Sequence, residues 1–66
     1  MEKSSLKDQV RFLDIAKGSV AEFATQTSIA MDIGYIDKNL GREWIQSADI
    51  LLAMLTKLQQ SKQSQP

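Results

Sequence analysis

The sequence predicts an all-α protein: an antiparallel helical hairpin that oligomerises into a four-helix bundle. Apolar residues recur at spacings of three and four over two long stretches, which is typical of amphipathic helices. Residues 34–37 separate these stretches and contain a glycine suited to ending a helix. Together the two predicted helices carry more apolar surface than one helix covers on the other, which predicts contact with further helices.

Length and composition restrict the class of protein. The 66 residues allow one domain and contain neither cysteine nor histidine. This composition excludes disulfides, thiolate nucleophiles and the usual zinc and haem sites, so oligomerisation remains as the way to stabilise so small a chain. Eight Lys and Arg balance eight Asp and Glu, whereas dedicated nucleic-acid-binding domains carry a basic excess.

Hydropathy predicts a soluble protein. The longest apolar run, residues 50–55, is far too short to span a bilayer. The polar N-terminal residues lack the apolar core of a secretion signal, so we expect a cytoplasmic protein.

The first helix is predicted over residues 6–33. Ser5 suits its N-cap, and Asp8 completes an imperfect capping box. Gly34 suits the left-handed position that follows a helix, and Tyr35 and Ile36 are expected to close the end of the core. The predicted core face comprises Leu6, Val10, Leu13, Ala16, Val20, Phe23, Ala24, Thr27, Ala30 and Met31.

The first helix carries further apolar residues outside this core face. Phe12 lies at its edge, whereas Ile15, Ile29 and Ile33 lie towards the back, with Glu22 between them. Two interpretations are open: scattered exposed apolar residues, which are normal, or contact with further helices. A third line has only small side chains: Gly18, Ala21, Thr25 and Ser28. A glycine inside a helix costs about 1 kcal/mol relative to alanine, which a close approach by another helix would offset.

The second helix is predicted over residues 38–60, with Asp37 as its N-cap. Residues 1–60 thus form one hairpin domain, and the polar tail 61–66 is expected to be disordered. The apolar stripe of this helix comprises Leu40, Trp44, Ala48, Leu51, Leu55 and Leu58, widened by Ile45, Leu52 and Met54.

The width of the apolar surface predicts an obligate homo-oligomer, with a dimer as the smallest closed form. Each large apolar side chain left in water forgoes roughly 1.5–3 kcal/mol, against roughly 5–15 kcal/mol for the stability of a whole domain. The predicted oligomer interface comprises Phe12, Ile15, Gly18, Ser19, Glu22, Ile29, Trp44, Leu51, Leu52 and Leu55.

The sequence predicts no catalytic, cofactor or metal site and no small-molecule substrate. Serine and threonine have no histidine to activate them, and the glycines lie too far apart for a phosphate loop. Lys3, Lys7 and Arg11 line one side of the first helix and are candidates for contact with nucleic-acid phosphates. The alternative is a solvated face, because no aromatic residue interleaves with them to stack on bases.

An ordered set of residues adds a resemblance. The set comprises Phe12, Leu13, Ile15, Ala16, Gly18, Ser19, Val20, Glu22, Thr25, Gln26, Ile29, Ala30, Gly34, Tyr35 and Ile36. It resembles the C-terminal half of a bacterial four-helix bundle family encoded in intervening sequences of 23S ribosomal RNA genes. Members of that family have two further helices before this region, so the resemblance implies that another chain, either a second copy or a different protein, supplies them.

The resemblance leaves the cellular role open. The accessory variability determinant of diversity-generating retroelements, a related protein, is a basic ring-forming bundle that binds RNA and a reverse transcriptase. Our first hypothesis is therefore a non-catalytic assembly module. The alternatives are an RNA-binding accessory protein of mobile elements and a half-bundle that docks on a different protein.

Overall fold

The computed structural model describes residues 5–64, which form two helices joined by a short turn. Helix α1 spans Leu6–Asp32 and helix α2 spans Lys38–Gln63. The helices pack antiparallel along their length, giving an elongated molecule of 47 × 20 × 16 Å. The chain is therefore an all-α helical hairpin, the fold class that the sequence predicts.

The helix ends follow from local hydrogen bonds. The Ser5 hydroxyl accepts from the amide of Asp8 at 3.1 Å, which is the N-cap half of the predicted capping box. The Asp37 carboxylate accepts from the amides of Asn39 and Leu40 at 2.9 and 3.2 Å and so caps α2. Each bond satisfies an amide that has no carbonyl partner within its helix.

The turn between the helices is a Schellman motif. Gly34 has a φ of +81°, its amide donates to the carbonyl of Met31, and the amide of Tyr35 donates to the carbonyl of Ala30. Tyr35 is 82% exposed, so the expectation that it closes the core is wrong. The reversal at Gly34 carries Tyr35 past the last turn of α1, and Ile36, half-buried, lies over the end of the core instead.

The C-terminal end of α2 extends beyond the predicted limit. Residues 61–63, expected to be disordered, are helical, and the Ser64 hydroxyl donates to the carbonyl of Gln60 at 2.9 Å. Lys62 is half-buried against α1, so packing continues past residue 60. Residues 65 and 66 of the predicted tail lie outside the described part of the chain.

The two helices meet along lines of residues spaced four and three apart, which is the heptad spacing of coiled coils. On α1 the line comprises Leu6, Val10, Leu13, Lys17, Val20, Ala24, Thr27 and Met31, all buried or half-buried. On α2 it comprises Gly41, Ile45, Ala48, Leu52, Leu55, Gln59 and Lys62, again all buried or half-buried. The predicted core face of α1 shares seven residues with this line. It also includes Ala16 and Ala30, which are half-buried beside the line, and Phe23, which is exposed, and it omits Lys17.

The packed line of α2 differs from the predicted stripe. Leu40, Trp44, Leu51 and Leu58 are 38–46% exposed, because each comes one residue before a packed position and so lies about 100° around the helix from it. Gly41, which the predicted stripe omits, lies in the contact together with Ala48, which the stripe includes. A Cβ at Gly41 would overlap the sulfur of Met31, so this glycine leaves room for the Met31 side chain between the helices.

Candidate assembly surface

One side of the hairpin displays large apolar side chains from both helices. We define this apolar face by Phe12 and Phe23 on α1 and by Trp44, Leu51 and Leu58 on α2. All five are exposed. The rings of Phe23 and Trp44 meet across the helix boundary, with centroids 6.0 Å apart and planes tilted by 34°. Antiparallel packing thus joins the exposed flanks of the two helices into one surface.

A groove of about 460 Å³ lies in the apolar face. The small side chains of Ser19, Ser47 and Ala48 line it together with Val20, and Phe23, Trp44 and Leu51 supply its large apolar groups. The face therefore combines large side chains with a recess between small ones, a combination that allows side chains of a second helix pair to interdigitate.

The apolar face continues towards the helix termini. Phe12, Leu13 and Leu58 line a second depression there, beside the polar side chains of Asp8 and Lys62. This end of the face is thus apolar with a charged border.

The structure distributes the residues of the predicted oligomer interface among the apolar face, the contact between the helices and the outer side of α1. Phe12, Ser19, Trp44 and Leu51 lie on the apolar face, and Leu52 and Leu55 are half-buried between the helices. Ile15, Glu22 and Ile29 each follow a packed residue by two positions, or about 200° of rotation, so they lie on the outer side of α1. Gly18 is exposed, and a Cβ there would have no neighbour within 4 Å. Contact of these residues with another chain stays a prediction.

A polar cluster that the sequence analysis missed joins the helices near their termini. Gln59, only 7% exposed, donates to the Val10 carbonyl at 3.1 Å and to the Asp14 carboxylate at 2.6 Å. The ammonium of Lys17 donates to the Gln59 side-chain oxygen at 3.0 Å. The sequence spacing indicates that Gln59 faces α1, because it lies seven residues after Leu52, which lies seven after Ile45.

The candidate phosphate contacts lie away from the apolar face. Lys7 and Arg11 are exposed on α1, whereas Lys3 lies outside the described residues. Within residues 5–64, no group of acidic, histidine or cysteine side chains is placed to hold a metal ion. Neither helix in this range combines the length and hydropathy needed to cross a membrane.

Comparison with known proteins places the chain in a family. A sequence model of the family described as 23S rRNA-intervening sequence protein matches residues 1–57. This match includes the whole of α1, the turn and most of α2. No curated protein and no solved structure matches the chain. Since the match spans well over half of the sequence, the chain belongs to the 23S rRNA-intervening sequence protein family.

Proposed function

We propose that this protein is a non-catalytic helical assembly module that associates with a second copy of itself through the apolar face. The smallest product is a dimer of hairpins with four helices. The observation that supports the proposal is the apolar face, which the fold of the single chain leaves in contact with water.

The exposed apolar side chains set the free energy that assembly can gain. The five side chains that define the face are 38–67% exposed, so covering them contributes roughly 1 kcal/mol each. A two-fold interface uses the same patch on both chains, which doubles the contribution to about 10 kcal/mol. Association itself costs about 4–15 kcal/mol, so a stable dimer requires most of the face to be covered at once.

The shape of the face favours a second copy as the occupant. A two-fold interface needs a patch that is complementary to itself. Here the large side chains of Phe23 and Trp44 lie next to a groove lined by Ser19 and Ser47, so each copy offers both a ridge and a recess. Two hairpins also supply the four helices that the family resemblance implies.

The mass of the protein in solution tests the proposal. Size-exclusion chromatography with light scattering at micromolar concentration is expected to give twice the chain mass of 7.4 kDa. Leu51→Asp places a charge on the apolar face and is expected to prevent assembly. Ile50→Asp is the matched control, because Ile50 is exposed on the far side of α2, about 200° from the packed residue Ala48. A folded wild-type monomer would refute the proposal.

A second candidate function is RNA binding, which the exposure of Lys7 and Arg11 on α1 favours. Titration with structured RNA at low and moderate salt is expected to show binding that weakens steeply as salt increases. Arg11→Glu should reduce the affinity, whereas Arg42→Glu, near the turn, serves as the control. The absence of binding even at low salt would exclude this function.

A further inference from the structure

Helix α2 carries two series of residues, each with seven-residue spacing, that compete for the contact with α1. The packed series, which faces α1, comprises Ile45, Leu52 and Gln59. The flanking series, which is 38–46% exposed on the apolar face, comprises Trp44, Leu51 and Leu58. Ala48 lies between the two series on the helix surface and contacts α1 in either case. A rotation of α2 by about 50°, half the angle between successive residues, would therefore exchange the series.

Apolar area alone favours the flanking series within a single hairpin. The first pair of competing residues sets a tryptophan against an isoleucine, the second sets two leucines against each other, and the third sets Leu58 against the polar Gln59. Because hydrophobic stabilisation scales with the apolar area buried, this comparison favours the rotation in which Trp44 and Leu58 face α1. The structure has the other rotation, so an interaction other than apolar burial selects it.

The polar cluster of Asp14, Lys17 and Gln59 supplies such an interaction. The side-chain nitrogen of Gln59 donates to the Val10 carbonyl and to the Asp14 carboxylate, and its side-chain oxygen accepts from the Lys17 ammonium. Two of these three bonds have a charged partner, and such bonds are stronger than neutral ones. All three partners belong to α1, so rotation of α2 would carry Gln59 away from them and leave the bonds unmade.

We propose that the polar cluster sets the rotation of α2 and thereby keeps the flanking series on the apolar face. Gln59 is thus a positioning residue for the assembly surface. Without its hydrogen bonds, α2 rotates and turns Trp44, Leu51 and Leu58 towards α1. The packed series then turns to the side of the hairpin opposite the apolar face. The rotation is a property of one chain, whereas its effect on the dimer rests on the proposed self-association.

Thiol alkylation distinguishes the two rotations. The chain has no cysteine, so Leu52→Cys and Ala48→Cys each introduce one thiol. Position 52 faces α1 in the observed rotation and turns to solvent in the other, on the side that a second copy on the apolar face leaves uncovered. Position 48 is only 4% exposed and faces α1 in both rotations, so its thiol reacts only when the helices separate. Mass spectrometry after exposure to iodoacetamide gives the rate at each position.

Gln59→Ala removes all three hydrogen bonds. We expect it to accelerate alkylation at position 52 by about tenfold or more, since a hydrogen bond to a charged group changes an equilibrium constant by that order. Position 48 should stay protected. Gln60→Ala, at an exposed neighbouring position, is the control and should change neither rate. An unchanged rate at position 52 would overturn the proposal, and so would equal acceleration at both positions, which means that the helices separate without rotation.

A pair of substitutions at Asp14 tests the hydrogen bonds without changing the packed series. Asp14 is exposed, so Asp14→Ala leaves no cavity between the helices but removes the oxygen that lies 2.6 Å from the Gln59 nitrogen. Asp14→Asn retains an acceptor oxygen. We expect faster alkylation at position 52 with Asp14→Ala and a rate close to that of the wild type with Asp14→Asn. Equal rates in the two variants would overturn a role for this bond in setting the rotation.

The dimer Kd connects the rotation to assembly. Gln59→Ala should raise the Kd by about tenfold or more, because only the fraction of chains with the flanking series exposed associates. Gln60→Ala should leave it unchanged. Faster alkylation at position 52 with an unchanged Kd would support the rotation but refute assembly through the apolar face. A monomeric wild type would refute self-association, and the two thiols would still decide whether the polar cluster sets the rotation.

Discussion

Truncating Phe12 tests whether the apolar face drives assembly. Phe12 is 67% exposed in the hairpin, so Phe12→Ala removes little packing within one chain. Fully burying a phenylalanine contributes roughly 1.5–3 kcal/mol, and two thirds of that is about 1–2 kcal/mol per copy. Both copies lose it in a two-fold dimer, so dissociation becomes easier by about 2–4 kcal/mol. This corresponds to roughly a 30- to 1,000-fold increase in the dimer Kd.

Ile15→Ala is the matched control for this prediction. Ile15 is 61% exposed, similar to Phe12, but it lies on the outer side of α1. Sedimentation equilibrium over a range of concentrations measures the dimer Kd of each variant, and circular dichroism checks that both remain helical. We expect Ile15→Ala to leave the Kd unchanged. An equal effect of the two substitutions, or less than a threefold effect of Phe12→Ala, would contradict assembly through the apolar face.

Two further substitutions test contacts within the hairpin, each measured as the free energy of unfolding in urea at a fixed protein concentration. Gln59→Ala removes the buried hydrogen bonds to Val10 and Asp14 and is expected to cost about 1–3 kcal/mol, whereas the exposed neighbour in Gln60→Ala should cost little. Gly34→Ala forces a Cβ into the left-handed conformation and is expected to cost about 1–2 kcal/mol, with Gly34→Asn costing less. Equal effects within either pair would contradict the contact concerned.

The caps and the turn were predictable because their determinants are local. Ser5, Gly34 and Asp37 act through hydrogen bonds or backbone conformation within a few residues of themselves, so the sequence alone indicates where the helices begin and where the chain reverses. Helix α2 ends later than the sequence predicts, because Lys62 and its neighbours are polar and their helical state depends on packing against α1.

The packed face of α2 was harder to predict, because a hydropathy pattern assigns large apolar side chains to the packed face and leaves small residues out. Leu40 and Trp44 outweigh Gly41 in any apolar stripe, yet Gly41 faces α1. The choice depends on how closely the two helices approach, which is a property of the pair and not of either helix alone. The sequence alone predicts excess apolar surface on α2. That this surface adjoins Phe12 and Phe23 depends on how each helix is oriented about its own axis, which the sequence does not specify.

The two glycines inside helices distinguish close approach within the hairpin from close approach by another chain. Replacing a helix-interior glycine with alanine stabilises by about 1 kcal/mol when the new methyl group has room. A Cβ at Gly18 would have no neighbour within 4 Å, whereas one at Gly41 would overlap Met31. In urea denaturation at a fixed protein concentration, we therefore expect Gly18→Ala to raise the free energy of unfolding by about 1 kcal/mol.

Gly41→Ala should give less stabilisation than Gly18→Ala or a net loss, because Met31 must move to make room. The dimer Kd of Gly18→Ala then decides the role of the small-residue line on α1. An unchanged Kd means that the second copy covers only the apolar face. A weakened dimer would mean that a neighbouring helix passes directly over Gly18, as its place in the sequence-predicted interface requires. The outer side of α1 would then belong to the assembly as well, and two hairpins packed through the apolar face alone would not complete it.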